Sequence, residues 1–522
     1  MKKSWKKALL AGLSIVMMGS FIAGCGSDNN GAANKDTLKV AVTNFASTLE
    51  PTENFFAWVV MRYGVGETLA RFDEQMKAQP WIASKWSVSD DKKTWTFTID
   101  DRVKFSNGKK VDAEAVKQSI ERAFAKQNRA KTFFEYDSME ANGQDLIIHT
   151  SKEYPNMPGL LADPLFLIVD VQSEKDGRNF AKEGPIGTGP YVVKSFTKER
   201  AEMVANEIYW NGTVPFKTVE IPSIDDPNTR AMALQSGDVD MAVNIGPGEI
   251  GLFQNNDKFK VDEIASLRVV LARINQKGIL GDDKVRAAVI SATDRKNYAD
   301  VLLKGIFLPG SAPIPPSMDY GFNELKDPNA YNVDRAKQLL AEDGWKDTDG
   351  DGVLDKDGKP LTFNFVVYNS RAELPLYAEA VQADLKKIGV DMKIKTVDYN
   401  LIDKMGIEGD YDMLISNIVT ANTGDPIFFL ANYWHTNNGG DWAQNGSGYS
   451  NPEVDRLLDA AQVEFDPVKR REYAIQIQQL LMNDGAALFL GYPKTNIVTG
   501  SYLKGAVMFP SDYYWITNKI TK

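Results

Sequence analysis

One cysteine and two histidines stand in 522 residues. With a single thiol no disulfide can form within the chain, so the fold must hold by its core, which a chain of this length can supply. Two histidines, His149 and His435, exclude a histidine-rich zinc site and leave arithmetic room for one triad at most. No Gly-x-Ser-x-Gly elbow is present to carry a nucleophile, and no Gly-x-x-x-x-Gly-Lys-[Ser/Thr] loop to cradle phosphate. The chain does not read as an enzyme, and nothing in it calls for a cofactor. Positive charge is also short. The net charge is −10, and −14 once the four lysines at the start are set aside. That balance argues against nucleic acid and anionic lipid as partners.

The lone cysteine carries information. Lys2, Lys3, Lys6 and Lys7 precede an apolar run from Ala8 to Ala23, which ends in Ile22-Ala23-Gly24-Cys25. A basic start, a short apolar centre and small residues at the end form a secretory signal, and the run is too short for a comfortable membrane span of about 20 residues. Ile-Ala-Gly-Cys resembles the lipobox of bacterial lipoproteins, which implies a signal peptide over 1–24, lipidation of Cys25, and a lipid-anchored tether over 25–37. The polar stretch Gly26 to Lys35 suits a flexible tether. The expectation is a chain attached to the extracytoplasmic face of the cell membrane. An ordinary signal peptide with an incidental cysteine is the plainer alternative.

Farther along, apolar and polar residues alternate over Thr37–Val42 and Trp95–Ile99, the pattern of half-buried strands. Asp112 is placed to cap a helix through Ala113, Val116, Ile120 and Ala123. Leu361–Tyr368 reads as a strand, Leu376–Ile388 as a helix, Val390–Val397 as a strand. This alternation predicts α/β domains with mostly buried sheets.

Several blocks then carry a family resemblance. Gln79-Pro80-Trp81-Ile82-Ala83-Ser84-Lys85-Trp86 is followed by Lys93–Phe97 and Val103-Lys104-Phe105-Ser106-Asn107-Gly108. Later come Pro185-Ile186-Gly187-Thr188-Gly189-Pro190-Tyr191, Asn206–Asn211, Pro227–Asp240, and Val285–Ala288 running into Asp294-Arg295. Taken together and in order, they resemble the family 5 extracellular solute-binding proteins, the peptide- and nickel-binding components of ABC importers. The resemblance implies a two-lobe, type II periplasmic-binding-protein-like fold with a hinge and an extra inserted domain. Lobe 1 would combine 38–70, 186–275 and 490–522, the inserted domain 71–185, and lobe 2 276–489. Such a protein would be a monomer that captures short peptides between the lobes and passes them to ABC permease subunits. Alternatives are a nickel chelate as cargo, or a surface sensor or adhesion lipoprotein.

Read residue by residue, Trp81, Trp86 and Trp95 are expected in the core. Arg371 lies in a loop between a strand and a helix, a usual place for binding groups. Relatives place a carboxylate-binding arginine in that loop; a solvated arginine paired with Glu373 is the plain alternative. Asp425, in Thr423-Gly424-Asp425-Pro426, is the acid available to a ligand's amine, although capping the next helix is the simpler role. Trp434 and His435 lie in the segment Tyr433–Trp442, which reads as an aromatic, amide-rich loop. His435 would serve a metal only as a partner to a chelator, since one histidine is no cage. Phe55 and Trp58 form a further aromatic patch. Asp163–Leu167 offers no arginine of the kind one nickel-binding type uses for its chelator. Asp347–Asp355 matches the first half of a calcium loop, but Gly358 stands where a bidentate glutamate belongs, so an acidic turn is expected.

Overall fold

The structure is a computed structural model that describes residues 36–43, 46–246, 248–368, 371, 373–436 and 444–522. The signal-like segment and Cys25 lie outside the described residues. Among those described, no helix is long and apolar enough to cross a membrane.

The long strand Ala487–Gly500 organises residues 36–522. Its first part pairs with Arg268–Ile274, from Ala487 opposite Arg273 to Gly491 opposite Val270. Its later part pairs with Phe259–Ala265 and Met241–Val243. The strands 259–265 and 268–274 follow one another across Ser266-Leu267, so the chain passes between the two halves there and again within the long strand.

On one side, Thr37–Ala41 lies parallel to both Met241–Val243 and Thr218–Pro222, and the sheet continues antiparallel through Arg200–Ala205 to Tyr191–Phe196. On the other side, Thr362–Tyr368 lies parallel to Asp391–Val397 and to Met413–Val419, with the helix Glu373–Lys386 as the crossover. A parallel pair needs such a helix to return the chain to the same sheet end. This half buries its own core, in which Val285, Leu340, Phe365, Val381 and Leu414 are almost wholly enclosed.

Within 71–185 a separate antiparallel sheet runs in the order 83–88, 94–99, 145–149, 138–142. The helix Ala113–Lys126 begins where Asp112 accepts from the Ala115 amide, and it buries Val116 and Ile120 beside Phe97 and Leu146. Arg122 on this helix pairs with Glu50 at 2.7 Å and with Glu174 at 2.6 Å, tying the helix to chain both before and after it.

Three of the family-like blocks, 79–86, 185–191 and 206–211, meet at one side chain that the sequence did not single out. The Glu67 carboxylate is buried and accepts four hydrogen bonds. Oε1 receives the Trp81 indole N–H at 2.9 Å and the Tyr209 hydroxyl at 2.7 Å. Oε2 receives the Thr188 hydroxyl at 2.8 Å and the Trp210 indole N–H at 2.9 Å. Burial pushes the Glu67 carboxyl up, and these four neutral donors pull it back. Gly187 and Gly189 are there for close backbone approach rather than for a turn with positive φ. A Cβ on either would meet the Val65 or Gly64 carbonyl oxygen at 2.2 or 2.3 Å. The three tryptophans divide: Trp95 is buried, while Trp81 and Trp86 are half-buried against the same core.

Two expectations follow. In Glu67→Gln the amide nitrogen must face one of the two indole donors whichever way it turns, since indole nitrogen only donates. Urea unfolding at pH 7 should show a loss of about 2 kcal/mol. Arg122, acting against burial and assisted by Lys126, holds Glu174 down to about 2. Glu50 also ends below its usual value, because Arg122 and Thr52 outweigh burial. Both folded values lie below the unfolded ones. Their stabilisation is therefore complete above about pH 4.5 and is lost as pH falls towards about 2. Unfolding midpoints across that window should fall, and fall less steeply in Arg122→Met.

Candidate functional site

At the carboxyl ends of the parallel strands 362–368 and 413–419, the antiparallel strand 268–274 begins, with Arg268 opposite Val419. Strand ends of this kind are where open α/β sheets present ligand-binding groups. Arg268 is half-buried and makes two long contacts to Asn417, 3.3 Å to its carbonyl and 3.4 Å to its side-chain oxygen. Burial, and then the Arg371 charge, push its guanidinium down to about 10, so it stays protonated at neutral pH. Arg371 is exposed in the loop after Tyr368. Among the described residues no carboxylate pairs with either arginine. Glu373 accepts from the Asn417 amide at 2.9 Å through one oxygen.

Facing them is a second cluster. Asp512 pairs with Arg62 at 2.6 Å and also accepts from the Trp515 indole; its charge and that of Arg62 both act on Arg268. Arg62 lies between the Trp58 and Trp515 rings, at 5.6 and 4.4 Å. Trp58 packs against Phe55 at 5.4 Å and against Tyr513 at 5.6 Å, and its buried indole N–H finds no acceptor among the described residues. Phe55, nearly half exposed, carries the Arg129 guanidinium at 4.5 Å over its ring. Arg129 stands 3.9 Å from the fully buried Asp163, with one guanidinium nitrogen making no hydrogen bond to the described residues. Both of these groups are donors. Such a cleft suits a solute that brings acceptors, carboxylates above all.

The cleft thus gathers Arg371, Phe55 and Trp58 from the expected residues, and adds Arg268, Arg62, Arg129 and Asp512. Although the segment 163–167 contains no arginine, the fold brings Arg129 to Asp163. The other three expected residues lie elsewhere. Asp425 is buried, pairs with Arg470, and accepts from the Ile427 amide at 2.8 Å, so capping and ion pairing occupy it. Trp434 must be corrected from ligand contact to core: it is 3% exposed and packs on Phe429 and Phe489. It closes the helix Ile427–Trp434, so the aromatic start of the supposed loop is helical; residues 437–443 lie outside the described residues. His435 turns to the helix Pro452–Val463, its Nε2 3.2 Å from Asp459 and its Nδ1 3.9 Å from Asp455. At the acidic turn, Asp347 accepts from the Gly350 and Gly352 amides, which is ordinary turn chemistry.

Asp425→Asn would leave the Ile427 cap in place and strip the half-buried Arg470 of its counter-charge. A loss of about 3 kcal/mol in chemical unfolding is expected, against under 1 kcal/mol if the pair were solvated.

Comparison with known proteins places this arrangement in context. The family model for bacterial extracellular solute-binding proteins, family 5, matches residues 77–441. The nickel-binding protein NikA of Staphylococcus aureus is 26% identical over 503 residues, covering 96% of each chain. The oligopeptide-binding protein AppA of Bacillus subtilis is 27% identical over 463 residues, covering 85% of this chain and 83% of that protein. Among solved structures, a nickel ABC transporter protein from Bacillus halodurans superposes with a TM-score of 0.80 at 29% identity, over 93% of this chain and 99% of the other.

Proposed function

The chain belongs to the family 5 bacterial extracellular solute-binding proteins, and from that membership we propose that it captures a small carboxylate-bearing solute between its two lobes and delivers it to an ABC importer. The observation behind this reading is the pair of guanidiniums at Arg268 and Arg371, neither of which forms an ion pair with a carboxylate among the described residues. A guanidinium binds a carboxylate directionally, through two parallel N–H bonds. Arg129 and the Trp58 indole offer further donors across the cleft.

A short peptide fits as cargo, with its C-terminal carboxylate at the two arginines. Its amine would then meet Glu373, which accepts from the Asn417 side chain through one oxygen, rather than Asp425, which is held by Arg470 and the Ile427 amide. A nickel chelate is the second reading, favoured by the similarity to nickel-binding relatives from two organisms. The chelator's carboxylates would use the same arginines, and the metal would travel as cargo. Segments 38–70, 186–275 and 490–522 would form one lobe, 276–489 the other, and 71–185 the added domain. In this reading no reaction is catalysed. Acylation at Cys25 would hold the protein at the outer face of the membrane, where labelled palmitate should enter the wild type and not Cys25→Ser.

Native mass spectrometry of the protein from residue 27 onward, purified from rich medium, with metal analysis of the same sample, separates the cargoes. Released peptides identify the first; nickel with a carboxylate chelator identifies the second. Either should fall about 100-fold in occupancy in the Arg268→Ala, Arg371→Ala double variant. A bound solute lacking any carboxylate would overturn the proposal.

A further inference from the structure

Between the strand Met413–Val419 and the helix Ile427–Trp434 a short loop leaves one half of the molecule and enters a slot in the other. Both of its ends are held. The Thr420 amide and hydroxyl donate to the carbonyl of Leu267, in the crossover between the halves, at 2.8 and 3.0 Å, and Asp425 is held within its own half by Arg470 and the Ile427 amide. The tip reaches across. Asn422 Nδ2 donates to Asp163 Oδ2 at 3.0 Å, and the Tyr513 hydroxyl donates to the Asn422 carbonyl at 3.3 Å. Asn156 Nδ2 donates to the Thr423 carbonyl at 2.9 Å.

The slot is cut to backbone tolerance. A Cβ on Gly159 would lie 2.4 Å from the Thr423 carbonyl oxygen, and one on Gly424 would lie 2.3 Å from the Met76 carbonyl oxygen and 2.8 Å from the Phe72 ring. Gly424 also has φ +74°, so the tip needs glycine for its conformation as well as for its fit. Asp163 is 0% exposed, and its carboxylate is left to the Leu165 amide, Asn422 and the more distant Arg129. A buried carboxylate that lost one of so few donors would be costly to keep dry.

We propose that residues 422–424 form a latch, with Asn422 and Asp163 as its positioning residues, and that its docking draws the lobes together on contacts independent of solute. A loop fixed at both ends loses little conformational freedom when it docks, so its few hydrogen bonds are not spent on ordering it. The inference relies on the solute-capture reading for its purpose only, because the test needs no solute.

Small-angle scattering of the protein from residue 27 onward, dialysed until native mass spectrometry shows no bound solute, should give a compact profile. Asn422→Asp sets a second carboxylate against Asp163 and should lower the closed-to-open ratio about 10- to 100-fold, seen as a larger radius of gyration. Gly159→Ala should do the same by collision with Thr423, without any change of charge. The exchange variant Asp163→Asn with Asn422→Asp reverses the donor and acceptor and should restore the compact profile. Thermal melting of each variant reports whether the lobes themselves stay folded. An extended wild-type profile, or an Asn422→Asp profile like the wild type's, would overturn the latch. So would an exchange variant that melts normally yet stays extended.

Discussion

A single buried carboxylate, that of Glu67, is the constraint on which the assembly of the first lobe and the inserted domain depends. An ionised carboxylate out of water is expensive unless its lone pairs are used, and here four donors from three separate stretches of chain use them. Trp81 comes from the entry to the inserted sheet, Thr188 from the chain's return, and Tyr209 and Trp210 from the loop beyond. Each aromatic also packs: Trp81 meets Trp210 edge-on at 5.6 Å, and Arg71 lies over Trp81 at 4.7 Å. Three of the blocks that mark the family in sequence, 79–86, 185–191 and 206–211, are thus brought together by one side chain that draws a donor from each. The glycines at 187 and 189 serve the same junction, letting the returning strand press its backbone against residues 64–65.

The cleft obeys a different electrostatic logic. Two of its acids are committed, Asp512 to Arg62 and Asp163 to Asn422 and Arg129, while among the described residues no carboxylate pairs with Arg268 or Arg371. Net acidity over the whole surface therefore coexists with a locally cationic interior. A negatively charged solute gains most from such a place because the low-dielectric walls weaken screening around the guanidiniums.

Much of the scaffold was legible. The alternating run at 94–99 and the parallel pair around the helix 373–386 formed as their periodicities indicated, and Asp112 caps its helix. Arg371 could be found because a strand-to-helix loop is a recognisable place. Arg268 could not, because at the first position of an apolar strand a charged residue reads as an edge. Arg129 and Asp163 are 34 residues apart in sequence, and nothing local announces that they meet. Trp434 was readable after all. Ile427, Leu430, Ala431 and Trp434 are buried at helical spacing, a stripe that marks the aromatic as core. The aromatic and amide composition of the segment drew attention away from that period. Glu67 had no signature of its own, since a buried acid is recognisable only by its donors.

The shared strand Ala487–Gly500 also sets an order of events. It stands between Arg268–Ile274 and Met241–Val243, so until it is in place both strands have an open edge and neither sheet is complete. It follows both of them in the chain, with residues 275–486 between. Everything up to residue 500 must therefore be synthesised before either half can finish its sheet, and contacts of such long range are slow to close. A chain built this way stays unfinished, and so threadable, until that strand has emerged.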